Sequence, residues 1–289
     1  MKNILITGAT GNVGLEAIAA LQGSESQCKL FAGVRNVKND ENKFSDFNID
    51  LIKLDFTDMT THLSTLMQAD IVFLLRPPQL ADVDAHFKPF IESAKIANIQ
   101  HIVFLSVQGA DKNKIIPHAK IEKLIIESNI PYTFLRPAYF MQNFTTVLQK
   151  DLLDKKRIFL PAGDAKFTLI DVADIGKVAA AVLTNPEKHV NQAYDLTSDE
   201  KLNFAEIADK LSKGLNSKIN YISPNLVRFY WQKRQENLPT IFIFVMIMLH
   251  YLPRFQKEPT TSNSVKIITN QDATSFDKFI ENNKKLLIS

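Results

Sequence analysis

The stretch Thr7-Gly8-Ala9-Thr10-Gly11-Asn12-Val13-Gly14 decides the fold. It follows an apolar run, Lys2 to Thr7 (KNILIT), that reads as a buried strand. It opens a segment in which Gly14, Ala17, Ile18 and Leu21 recur at helical spacing. A strand, a glycine-rich turn and a helix in that order form a cradle for a pyrophosphate. The first glycine permits the tight turn, the next lets the backbone approach the phosphates, and the third lets helix and strand pack closely. The helix N-terminus adds unpaired N–H groups and a partial positive charge. Gly8, Thr10, Gly11, Asn12, Val13 and Gly14 are therefore the expected contacts to a dinucleotide. An ordinary glycine-rich loop is the blander alternative.

Working outward, the pattern repeats. Apolar runs at Cys28 to Val34, Ile49 to Leu54, Ala69 to Leu75, Gln100 to Ser106 and Tyr132 to Leu135 read as further strands. Helical segments such as Ala85 to Asn98 and Pro117 to Ser128 separate most of them. Near-continuous apolar strands alternating with helices predict an α/β fold with a doubly wound parallel sheet covered on both faces. After about Ala138 the pattern loosens. Asp171 to Leu183 and Asn203 to Ser212 read as helices, and Gln192 to Leu196 as a strand. Residues 254–271 are polar and read as a loop, and a last helix carries Phe276, Phe279 and Ile280 on one face. The expected organisation is a dinucleotide-binding domain over residues 1–150. A smaller, mainly helical substrate-binding lobe over 151–289 partly completes the sheet.

Composition narrows the function classes. The 289 residues carry 34 basic and 31 acidic side chains, a net charge of +3 that predicts no strong general attraction to nucleic acid or anionic membrane. Hydrophobic residues at 45% and charged residues at 22% are ordinary globular values. The single Cys28 excludes an intramolecular disulfide and a cysteine-cluster metal site. The six histidines are dispersed, so no metal is expected. The N-terminus lacks the features of a secretory signal. The longest apolar run, Ile241 to Leu249, has nine residues against the ~20 needed to span a bilayer. The expectation is a cytoplasmic protein without a membrane span. Pro239 and Pro253 bracket that run, which suits a buried helix or a dimer face ahead of a pocket wall.

The end of the second strand reads Gly33-Val34-Arg35-Asn36, with Lys38 nearby. No acid stands there to hold the ribose hydroxyls of NAD. Arg35, 21 residues after Gly14, suits the 2′-phosphate of NADP. NADP is thus expected over NAD, the alternative being a solvated arginine. Asp58 suits a helix cap. Ser106 ends the fifth strand and Lys120 lies in the next helix, but four residues before Lys120 stands Ile116. A Y-x-x-x-K pair would need tyrosine there to move a proton. His118 points either at a bound substrate or into solvent from the first helical turn.

The glycine turn, FLLRPP (Phe73 to Pro78), FLSVQGAD (Phe104 to Asp111), HAKIEKLI, IPYTFLRPAYFMQN (Ile130 to Asn143) and LIDVADIGKVAAAVL (Leu169 to Leu183) together resemble the NmrA-like family of atypical short-chain dehydrogenase/reductases. The resemblance runs to about Ile222. It implies an NAD(P)-binding Rossmann fold, with Asp55 by the adenine, Leu75 and Arg76 against the cofactor, and Lys120 on its ribose. Pro137, Tyr139 and Phe140 would line the nicotinamide, and Tyr139, Phe140 and Asn143 would face the substrate. Core packing is the alternative for the aromatic pair. Ser106, His118 and Lys120 are the catalytic candidates. The family implies an NAD(P)H-dependent oxidoreductase acting on a quinone-like or other small electrophile. A non-catalytic NADP(H) redox sensor with a protein partner is the second reading, and a nucleotide-sugar epimerase the third. A homodimer is compatible with each.

Overall fold

The computed structural model describes residues 2–23 and 28–288. The strands in chain order are β1 (Lys2–Ile6), β2 (Cys28–Val34), β3 (Asp50–Lys53), β4 (Ile71–Leu75), β5 (His101–Leu105), β6 (Tyr132–Pro137), β7 (Tyr139–Phe140), β8 (Arg157–Phe159), β9 (Phe167–Ile170), β10 (Gln192–Leu196), β11 (Lys201–Leu202) and β12 (Asn220–Ile222). The helices are α1 (Asn12–Gln22), α2 (Val37–Asp40), α3 (His62–Leu66), α4 (Val83–Ile96), α5 (Pro117–Ser128), α6 (Gln149–Lys155), α7 (Val172–Thr184), α8 (Phe204–Leu215), α9 (Leu226–Gln235), α10 (Thr240–Tyr251), α11 (Ser264–Thr269), α12 (Phe276–Asn282) and α13 (Lys284–Ile288).

These elements form two compact units. The first comprises Met1–Ala138, Val172–Leu196 and Asn263–Asp272; the second comprises Tyr139–Asp171, Thr197–Ser262 and Ala273–Ser289. The structure thus divides the chain differently from a single cut after residue 150. Part of the later sequence returns to the first unit, because β10 hydrogen-bonds to the free edge of β6 and α11 packs on α7.

The first unit is a seven-stranded sheet in the order β10-β6-β5-β4-β1-β2-β3, with every pairing parallel. The expected doubly wound sheet is present, and the strand order reverses between β1 and β4. A ligand crevice opens at such a reversal, at the carboxyl ends of the strands. Ile4, Leu5 and Ile6 are fully buried, as a strand covered on both faces requires. On one face Leu5, Val72, Phe104 and Phe134 pack with Phe87, Phe90 and Ile91 of α4 and Ile121 and Ile125 of α5. α7 packs on α1, and the contact is close. A Cβ at Gly176 would lie 2.7 Å from the Glu16 carbonyl carbon, so glycine lets the two backbones meet.

The second unit has two small sheets, β11-β9-β7 and β12-β8. Its core gathers Phe144, Phe159, Phe204, Phe229, Phe276 and Phe279. Phe276, Phe279 and Ile280 are buried together, as their spacing predicts. Two expectations fail here and in its flanks. Ser264–Thr269 is helical inside the stretch expected as loop. The apolar run forms α10 with Pro239 as its N-cap, but only Ile243, Met246 and His250 are buried. It is not a buried helix. Among the described residues, no helix is long and apolar enough to cross a membrane.

Candidate active site

A parallel sheet collects the residues that follow its strands along one edge. Gly8 follows β1, Arg35 follows β2, Asp55 follows β3, Arg76 follows β4 and Ser106 follows β5, while Pro137 ends β6. The candidate residues of the first unit thus share the carboxyl edge of one sheet.

The glycine turn is held at the strand reversal. Gly8 has φ +56°, a left-handed conformation that favours glycine. The Gly11 N–H donates to the Gly8 carbonyl at 3.0 Å and closes the turn. The buried Thr7 hydroxyl accepts from the Leu75 N–H at 2.8 Å and donates to the Leu75 carbonyl at 3.2 Å. That reciprocal pair ties the end of β1 to the end of β4. A Cβ on Gly8 would lie 3.2 Å from the Leu75 Cβ. A Cβ on Gly14 would lie 2.7 Å from the Gly8 carbonyl oxygen and 2.8 Å from the Ala9 Cα. The third glycine therefore does what the sequence predicts: it lets α1 sit against the turn. Gly11 caps α1 in an extended conformation, no side chain bonds to the helix start, and no acid lies in the first turn. Backbone donors and the positive end of the helix dipole remain for an anion. The residues present therefore fit a dinucleotide pyrophosphate.

Arg35 is exposed beyond β2, and its guanidinium forms no ion pair among the described residues. Asn36 turns inward to the chain instead, its side chain accepting from the Asn39 N–H and capping α2. Asp55 is more constrained than expected. Its carboxylate accepts from the Thr57 N–H at 2.9 Å and the Thr57 hydroxyl at 2.7 Å, so it shapes the local turn after β3. Asp58 caps the short helical turn that follows, as its position suggests.

Two of the three candidate catalytic residues, Ser106 and His118, have side-chain partners. Ser106 is buried, and its hydroxyl donates to Glu122 at 2.5 Å. Glu122 is itself buried and receives two bonds from Arg136, at 2.9 and 2.7 Å. Ser106 thus belongs to a structural ion-pair network. Ile116 lies just outside α5 and Pro117 occupies its first turn. His118 is half-buried beside Phe104, and the Arg76 Nε–H points at its Nε2 at 3.5 Å. Burial, with the Arg76 cation adding to it, pulls His118 down to about 4. At that value the ring is neutral at physiological pH. Arg76 also donates to the carbonyls of Pro77, Pro78 and Leu80, at 3.1, 3.1 and 2.9 Å. It fixes the loop leaving β4. Lys120 is exposed.

In the second unit, Tyr139 and Phe140 form β7, which pairs with β9. The Tyr139 ring packs edge-on against Phe167 and Phe204, with centroids 5.8 and 5.9 Å away. Core packing describes it better than an open slot does. Its hydroxyl lies 3.2 Å from Nε2 of His250, while Nδ1 of His250 lies 2.6 Å from the Met246 carbonyl. The carbonyl requires a proton on Nδ1, so Nε2 accepts from the tyrosine. Burial raises the Tyr139 phenol well above its ordinary value and pulls His250 down to about 4. Asn143 is half-buried.

Sequence reasoning missed Thr7, Glu122 and His250. Thr7 was read only as the end of a strand. Glu122 sits at a buried position of α5 and carries no motif. His250 ends an apolar run in which nothing marks it as a partner of Tyr139.

The NmrA-like family model matches residues 1–237 of the chain. The chain is 29% identical to the prestalk A differentiation protein A of Dictyostelium discoideum over 279 residues, covering 96% of this chain and 91% of that protein. It is 28% identical to an NAD(P)H azoreductase of Xenophilus azovorans over 282 residues, covering 96% of each. Among solved structures, an NADPH-dependent quinone oxidoreductase of Escherichia coli in complex with NADPH superposes with a TM-score of 0.86. It is 21% identical, over 96% of this chain and 99% of that one.

Proposed function

The chain belongs to the NmrA-like family, and from that premise we propose that it is an NADPH-dependent oxidoreductase that reduces a quinone-like or other small two-electron acceptor. The glycine turn at the strand reversal, with Gly14 set against the Gly8 carbonyl, carries this reading. Gly8, Thr10, Gly11, Asn12, Val13 and Gly14 would hold the pyrophosphate, and Leu75 and Arg76 would wall the crevice after β4. Arg35, free of acidic partners, would take the 2′-phosphate and set NADPH above NADH. Lys120 would reach the ribose and Pro137 the nicotinamide. When bound, the nicotinamide supplies the hydride.

The protein's own side chains set the substrate class. Ile116 has no proton to give, Ser106 is bonded to Glu122, and His118 is neutral. A substrate that needed a protein acid would be poorly served. A quinone or an azo bond fits, because the reduced oxygen or nitrogen takes its proton from water. That requirement weighs against sugar epimerisation. The names of the azoreductase and quinone oxidoreductase relatives support the same class. The same want of a proton donor favours a second reading, a dinucleotide sensor that binds without turnover. A relative named for differentiation rather than catalysis is compatible with it.

Titration of the purified protein with NADPH and NADH tests the cofactor assignment. The expected result is tighter binding of NADPH, reversed by Arg35→Glu. Equal affinities for the two dinucleotides in the unsubstituted protein would refute the role of Arg35.

A further inference from the structure

The second unit carries an apolar surface with no partner among the described residues. Every exposed position of α10 is apolar: Ile241, Phe242, Phe244, Val245, Met248 and Leu249. Ile241 is 80% exposed, and Leu252 and Phe255, 71% exposed, extend the face beyond the helix. A helix on a water-facing surface ordinarily shows polar residues on its outer side. α9 continues the surface, since Tyr230 meets Phe244 with ring centroids 6.1 Å apart. Val227, Arg228, Trp231 and Arg234 are exposed there. Trp231 is 63% exposed, and the two arginines flank it at three-residue spacing, hence on the same side of the helix.

Charge identifies the occupant. Over residues 226–258 the exposed cations are Arg228, Arg234, Arg254 and Lys257. None of the four forms an ion pair with the described residues. The two acids of the segment are already paired, Glu236 with Lys155 and Lys233, both at 2.8 Å, and the exposed Glu258 with Lys201 at 3.3 Å. A second copy docking by the same face would set these cations against their own counterparts, which costs affinity. An anionic lipid surface satisfies both halves of the patch. Its acyl boundary takes the apolar side chains, its headgroups take the cations, and tryptophan favours the boundary between them.

We propose that α9 and α10 form a peripheral docking surface for an anionic lipid bilayer, with α10 lying in the interface and Trp231 at headgroup depth. Surface attachment needs no spanning helix. The proposal stands apart from the reductase reading, since it uses none of the first unit.

Trp231 is the only tryptophan of the chain, so its emission reports on this surface alone. The experiment is flotation of the full chain with phosphatidylcholine vesicles, with and without phosphatidylserine, read together with tryptophan emission. The expected result is binding to the serine-containing vesicles with a blue shift, weakened by salt. Each basic residue at such a surface contributes about fivefold, so Arg228→Gln/Arg234→Gln should weaken partition about 25-fold. Phe244→Glu/Met248→Glu should abolish both binding and the shift. These positions are exposed, and a circular dichroism melt checks that the variants remain folded. Ile241→Glu is the milder variant should the double one not fold. Equal binding to both vesicle types, or binding that survives Phe244→Glu/Met248→Glu, overturns the proposal. A dimer lost on the same double substitution assigns the face to a second copy instead. A wild-type protein that stays monomeric and ignores both vesicles assigns it to a protein partner, and either result overturns the proposal.

Discussion

Gly14→Ala isolates the contact on which the phosphate cradle depends. A methyl at residue 14 would sit 2.7 Å from the Gly8 carbonyl oxygen, 2.8 Å from the Ala9 Cα and 2.9 Å from the Ala9 carbonyl oxygen. All three are backbone atoms, so no rotamer can relieve the clash. Ordinary contact lies roughly 0.7 Å or more further out, and α1 must move off the turn by about that much. Overpacking of this kind costs ~1–3 kcal/mol, while alanine in a helix regains ~0.5–1 kcal/mol. The net loss of stability is therefore about 0–2.5 kcal/mol. The effect on binding is separate. The N–H groups of the helix start would no longer meet the phosphates at hydrogen-bond distance, and one lost charge-assisted bond is worth ~1.5–3 kcal/mol. NADPH affinity should fall about 10- to 100-fold. Gly23→Ala, at the other end of the same helix, is the control. Its methyl would meet only carbonyl oxygens at 3.6 and 3.7 Å, and its φ of −74° suits any residue. Fluorescence titration below the melting transition gives the affinity, and thermal melts give the stability. If Gly14→Ala binds NADPH within about twofold of wild type at unchanged stability, the close approach has no role in the cradle.

Three further outcomes follow from the partners described. Ser106→Ala should lower stability by about 1 kcal/mol through loss of its bond to Glu122, with NADPH oxidation essentially unchanged; a large fall in kcat at constant stability would restore Ser106 as a catalytic residue. Lys233→Ala removes a buried cation that bonds Asp151 at 2.6 Å, and should cost on the order of 3 kcal/mol in urea unfolding; a change below measurement would mean that Arg157 and Lys155 suffice for Asp151. Burial holds His101, His118 and His250 at about 4, against about 6.5 in the unfolded chain. The unfolded state therefore binds more protons between these values, so stability is complete above about pH 6.5 and falls as the pH drops toward 4. Histidine proton shifts should show all three rings neutral at pH 6, and an imidazolium at any of them would contradict its burial.

Much of the first unit was legible because its elements are bounded by chemistry that acts locally. Cys28–Val34 and Pro117–Ser128 have the limits their sequence predicts, the one ending at the polar Arg35 and the other opening on proline. The glycines of the turn were legible for the same reason, since each is needed by its own backbone or its near neighbour. What was not legible depends on distant partners. The Gln192–Leu196 strand was visible, but its place beside β6 is set by a contact far along the chain. Ser106 reads as a catalytic residue until the buried Glu122 is seen to receive it. Asp55 reads as a ligand, and only the structure shows that one of its carboxylate oxygens accepts from both the N–H and the hydroxyl of Thr57. The run Ile241–Leu249 reads as buried because an apolar residue ordinarily is, and nothing in its pattern distinguishes Ile243, Met246 and the partly buried Ile247, which face the core, from the six that face outward.

The most direct test of the central claim is anaerobic turnover of NADPH with a simple benzoquinone, following loss of the reduced nicotinamide and appearance of the hydroquinone together. The account predicts one hydroquinone formed for each NADPH consumed, at a rate that falls with Gly14→Ala and with Arg35→Glu. Tight NADPH binding with no consumption, across quinones and azo dyes alike, would contradict it and leave a protein that binds the dinucleotide without using it.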